Sequence, residues 1–122
     1  VSASITIKNQ KITNFDALEK VCTELVLECR RHTDHYRVRG TKAATVVRLP
    51  GWRGGLAINE ATGEIVVDSD HLHDAESCSA FDNLLSAYNR EALSQEALAQ
   101  GYVLADSQYD EVNQQYVLTF QS

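Results

Sequence analysis

Much of what this 122-residue chain lacks excludes a class of protein. No apolar run approaches the roughly 20 residues that a bilayer-crossing helix needs, so no membrane span is expected. No charged, apolar and small-residue leader opens the chain, and the expected address is cytoplasmic. Cysteine is scarce and odd in number. Cys22, Cys29 and Cys78 include no CxxC spacing, so no disulfide framework is implied. Cations are outnumbered, eleven Lys and Arg against seventeen Asp and Glu, for a net charge of −6. That balance argues against a general nucleic-acid binder, whose affinity rests on cation–phosphate contacts, and against docking on anionic lipid. The glycine-containing stretch Pro50–Gly55 lacks the Gly-Lys-Ser/Thr ending of a phosphate loop. No Ser-His-Asp, Cys-His or paired-carboxylate spacing stands out, so a non-enzyme is expected.

What remains is 43% hydrophobic, enough for one domain, residues 1–122, to fold on its own core without a structural metal. The organising stretch spans Lys42 to Ser69. It holds three apolar runs, Ala43 to Leu49, Gly55 to Ile58 and Glu64 to Val67. Turns at Pro50–Gly54 and Asn59–Gly63 separate them, which is the pattern of an antiparallel meander. Before it, Ala3, Ile5 and Ile7 alternate with polar residues as a half-buried strand over Ser2 to Lys8. Thr13 or Asn14 offers a helix cap. Phe15, Leu18, Val21, Cys22, Leu25 and Val26 follow helical spacing down to about residue 28. On that reading Cys22 and Cys29 lie two turns apart on one helix face, as small buried hydrophobes.

Arg30 to Gly40 reads as a loop and a short edge strand, with Tyr36 and Val38 alternating against Arg37 and Arg39. A second helix is expected from about Ser79 to Gln100, stopped by Gly101. Tyr102 to Ala105 and Gln115 to Phe120 close the chain as a hairpin. The predicted fold is therefore α+β, two helices packed on one face of an antiparallel β-sheet made of a meander plus a C-terminal hairpin.

These pieces resemble a known family, the hypothetical chloroplast reading frame thirty-five family with its bacterial and phage relatives, a domain of unknown function. Ser2, Thr6, Ile7 and Lys8 resemble its N-terminal strand, and Phe15 to Leu25 its first helix. Tyr36-Arg37-Val38-Arg39-Gly40 and Ala44 to Leu49 resemble its central strands. Phe81 to Tyr88, Gly101-Tyr102-Val103 and Tyr116 to Phe120 resemble its closing helix and hairpin. The chain departs from the family at Ala3-Ser4, where a His-Phe pair is usual, and at Gly54-Gly55, in place of Tyr-Asp. Val26 stands where the family ends helix one with Gly. The resemblance implies the fold and a cytoplasmic or plastid-stromal address, and no chemistry.

Two segments carry candidate ligands. Asp68, Asp70, His71 and His73, in the run Asp68 to Cys78, offer carboxylates and imidazoles to a divalent metal ion. The run lacks the Gly and Glu of an EF-hand loop, and polar residues between a strand and a helix are also ordinary connection. Cys29, His32 and His35 form a second, sparser set at a basic helix C-terminus.

Seven of the eleven cations fall between residues 30 and 53: Arg30, Arg31, Arg37, Arg39, Lys42, Arg48 and Arg53. Trp52 sits among them on a constrained turn. It is either an exposed anchor, since Trp and Arg dominate interface hot spots, or a lid on one end of the core. The leading expectation is a small acidic regulator or interaction protein, of the phage-inhibitor kind. It would bind a protein partner through Trp52, Arg53, Arg48, Tyr36, Arg37 and Arg39. A metal-binding protein is the alternative, and an unrecognised enzyme the third reading.

Overall fold

The computed structural model describes residues 4–35, 38, 43–72, 75–113 and 115–121. Tyr36, Arg37, Arg39 and His73, among the candidate site residues, lie outside them.

In chain order the elements are β1 (Ser4–Lys11), α1 (Phe15–Glu24), β2 (Cys29–Thr33), β3 (Ala44–Val47), β4 (Leu56–Asn59) and β5 (Glu64–Asp68). A 3-10 turn (Ser69–Leu72), α2 (Ala75–Ala99), β6 (Val103–Asp110) and β7 (Gln115–Gln121) follow. The first five strands form one antiparallel sheet in the order β1-β5-β4-β3-β2, and β6 and β7 pair as a separate hairpin. The fold is α+β, as the switch between period 2 and period 3.6 predicts.

Pairing register sorts the side chains. Val47 faces Leu56, Thr45 faces Ile58, and Ile58 faces Ile65, so these residues share one side of the sheet. Ala17, Leu18, Val21 and Cys22 of α1 and Phe81, Leu84 and Tyr88 of α2 pack on that side, with Ile12 filling the corner. The other side carries small residues. Ala44 and Ala57 are buried there under Val38.

Turn chemistry places the meander. Pro50 and Gly51 (φ 79°) form a type II turn closed by Trp52 N–H donating to the Leu49 carbonyl at 3.1 Å. Gly63 (φ 79°) ends the next turn against the Ile12 carbonyl, where a Cβ would come within 2.8 Å of that oxygen. Tyr88 then ties α2 to the β1–α1 corner, its hydroxyl accepting from the Thr13 and Asn14 N–H groups at 3.1 and 3.0 Å.

The two helices end alike. In α2, Tyr102 N–H donates to the Ala97 carbonyl and Gly101 N–H to that of Leu98, around Gly101 at φ 90°. In α1, Leu27 N–H donates to the Cys22 carbonyl and Val26 N–H to that of Thr23, around Val26 at φ 58°. Both are Schellman closures, which favour glycine at the left-handed position.

Five expectations need correction. The C-terminal hairpin, expected in one sheet with the meander, is a two-stranded sheet of its own. Helix α1 stops at Glu24 rather than near residue 28, because a valine takes the glycine position and the apolar pattern runs on without a stop signal. Residues 29–33, expected as a helix end and loop, are edge strand β2, with Cys29 paired to Val47 and Arg30 to Val46. Cys22 and Cys29 therefore sit on different elements. Helix α2 starts at Ala75, four residues early, since Ala-Glu-Ser-Cys reads as connection but forms its first turn. The polar segment to Asp110, expected as loop, continues β6 because its backbone pairs with β7.

Candidate functional site

The Pro50–Gly55 turn stands between two concavities. On the sheet face away from the helices lies a polar cleft of about 370 Å³. Val46 and Gly55 form its floor, and a Cβ at Gly55 would overlap Val46 Cγ1. Arg30, Arg48, Glu28, Asp34, Asp68 and His71 are among its walls. On the other side, a largely apolar groove of about 350 Å³ runs between the end of α1 and the first turns of α2, lined by Leu25, Leu27, Leu49, Pro50 and Ala80 together with Glu76, Ser79 and Asn83.

Val26, in sequence between the groove-lining Leu25 and Leu27, is 90% exposed. A β-branched residue in the left-handed region is an outlier, and outliers of this kind concentrate at functional sites. Leu25, 43% exposed, extends the same apolar surface.

Trp52 is not presented outward. Its indole stacks on His71 with ring centroids 4.5 Å apart and planes at 12°, and it lies 5.9 Å from the Phe81 ring. Its Nε1–H donates to the Ser77 carbonyl at 3.1 Å. It is half-buried against the core and holds the turn in place. Arg53 beside it is exposed, with Nη2 3.6 Å from Asp70 Oδ2.

The guanidiniums are weakly engaged. Arg30 contacts Glu28 at 2.8 Å, and Arg48 lies 3.9 Å from the same carboxylate. All three arginine side chains are more than half exposed, where an ion pair contributes about 0–1 kcal/mol and is readily exchanged. In sequence, residues 30 to 53 hold seven cations against one acid, Asp34, while each described guanidinium of the stretch, on Arg30, Arg31, Arg48 and Arg53, faces a carboxylate from outside it.

The metal candidates are otherwise engaged. Asp68 Oδ1 accepts the Asp70 N–H at 2.9 Å, Asp70 meets Arg53, and His71 lies buried under Trp52. Cys78 Sγ donates to the Leu72 carbonyl at 3.3 Å. In the sparser set, Cys29 packs against the core, His35 lines the polar cleft, and His32 Nδ1 lies 2.7 Å from Glu60 Oε1. Among the described residues, no three His, Cys, Asp or Glu side chains gather as metal ligands.

One functional-looking carboxylate escapes the sequence. Glu60 Oε2 accepts from the His32 N–H at 2.8 Å and from the Thr45 hydroxyl at 2.7 Å, and this holds a bulge in β2 where His32 has φ 56°. Burial pushes its carboxyl up, but these donors and the neighbouring imidazole outweigh it, and the net shift is below the ordinary 4.5. No local spacing signals this, since His32 and Glu60 are 28 residues apart.

No family model, curated protein or solved structure matches the chain.

Proposed function

We propose that this is a small acidic, non-enzymatic interaction or regulatory protein, and that its partner is a protein presenting an apolar side chain flanked by carboxylates. The partner straddles the Pro50–Gly55 turn. Its apolar anchor enters the groove lined by Leu25, Leu27, Leu49 and Pro50, while its carboxylates meet Arg48 and Arg53. An apolar centre with a polar rim is the common anatomy of protein interfaces. The whole-chain resemblance to the chloroplast reading frame family, with its phage relatives, belongs to the same proposal and adds no activity to it.

The observation that carries this reading is Val26: an almost fully exposed valine, held in an unfavourable backbone conformation, between two leucines that line an apolar groove. Ordinary solubility does not call for that residue there, whereas a contact surface does. The arginine rim supplies the sign of the partner, because electrostatic complementarity steers encounter and excludes like-charged competitors.

Affinity capture with the wild-type chain and two surface variants tests it. Leu25→Asp and the double variant Arg48→Glu/Arg53→Glu alter exposed side chains and are expected to keep the wild-type melting temperature. Both are expected to lose at least tenfold of the captured partner, corresponding to about 1.4 kcal/mol. Capture unchanged in both variants would remove this surface from consideration.

A further inference from the structure

The polar cleft on the sheet face away from the helices has a volume of about 370 Å³, at the low end of the range of small-molecule sites, about 300–1,000 Å³. Val46 lies so close over the Gly55 backbone that a Cβ there would overlap its Cγ1, and the two residues make a small apolar floor. The ionisable groups around this floor carry both signs. Two guanidiniums, on Arg30 and Arg48, meet a single carboxylate, Glu28. Arg30 engages it, with Nε and Nη2 both 2.8 Å from Oε1. Arg48 Nε lies 3.9 Å from Oε2, too far for a hydrogen bond. Asp34 and Asp68 also line the cleft, and His71, only 7% exposed, reaches it from beneath Trp52.

We propose that this cleft binds a small zwitterion of the free α-amino-acid class. Arg48 receives the carboxylate, since Glu28 is engaged by Arg30 and a guanidinium holds a carboxylate through paired N–H donors. Asp34 and Asp68 supply the negative charge that an ammonium group requires. Val46 and Gly55 accept a short aliphatic side chain. The His71 imidazole serves either polar end, because in its neutral form one ring nitrogen donates and the other accepts.

Neither sign alone fits. A simple anion would face two aspartates and a simple cation would face Arg48, and such like-charge contacts exclude the wrong ligand. Binding here is independent of the protein partner, because the cleft and the apolar groove share no lining residue among those described.

Equilibrium dialysis of the full chain against each of the standard protein amino acids tests it, with free ligand measured by mass spectrometry. At least one is expected to bind saturably at a single site, with a dissociation constant of about 1 mM or below. For that amino acid, the N-acetyl derivative lacks the positive charge and the methyl ester lacks the negative one. Each is expected to bind at least tenfold more weakly than the parent. Arg48→Gln is expected to weaken binding of the parent by at least tenfold and to narrow its advantage over the methyl ester. Asp68→Asn, which keeps an acceptor for the Asp70 N–H, is expected to do the same against the N-acetyl derivative. No saturable binding of any amino acid in that range overturns the proposal. So does a blocked derivative that binds as tightly as its parent, or unchanged binding in either folded variant. The comparison of derivatives uses the wild-type chain and does not depend on a variant folding.

Discussion

A β-branched residue in the left-handed region crowds its own backbone, and for L-residues this costs roughly 1–2 kcal/mol. Val26 bears that cost at φ 58°, where glycine would escape it. Val26→Gly is therefore expected to stabilise the chain by about 1 kcal/mol, a rise of about 4 °C in melting temperature. An unchanged or lower value would mean that the valine side chain compensates in the free protein. Trp52 is the opposite case, a turn residue that faces inward. Removing its stack on His71, its contact with Phe81 and its bond to the Ser77 carbonyl should cost about 3 kcal/mol in Trp52→Ala. Urea denaturation measures it, and a loss within about 0.5 kcal/mol, the range of ordinary surface changes, would contradict the inward placement.

At the level of elements, β2 is the part that needs outside help. It is an edge strand with a bulge between Arg30 and Thr33, and a side chain from the β4–β5 turn, Glu60, satisfies it. Bulges and charge on an edge also discourage sheet-to-sheet pairing. Because Glu60 has a depressed folded value, its ionised form contributes stability fully above the ordinary 4.5. That contribution disappears as pH falls through the folded value. Glu60→Gln should therefore be less stable than wild type at neutral pH, with the gap between their urea midpoints closing on acidification below about pH 4.5. A gap independent of pH would show that the carboxylate charge is not what holds the bulge.

Across the whole molecule, stability is unevenly distributed. The meander β3–β4–β5 shares its core with both helices, whereas β6–β7 is a two-stranded sheet packed on α2. Such a hairpin is marginal without a support. Native-state hydrogen exchange is expected to show β6–β7 amides opening locally, at lower free energy than those of β4 and β5. Equal protection in both sheets would show one cooperative unit instead.

The amino-acid sequence by itself determined the elements whose signals reside in their own residues. Asn14 caps α1 because its side chain accepts the Ala17 N–H three residues on. Pro50-Gly51 and Gly63 make their turns from their own φ preferences, and Gly101 ends α2 for the same reason. The alternation and periodicity between these points place the two helices and the strands of the five-stranded sheet on one core. Only the tertiary structure decided where α1 stops, since valine carries no stop signal of its own. It also decided which way Trp52 points, since His71 and Ser77 arrive from beyond β5. It brought Glu60 to His32, a pair separated by 28 residues. Local spacing encodes backbone preference, whereas side-chain partnerships across elements exist only once the sheet register and helix packing are set.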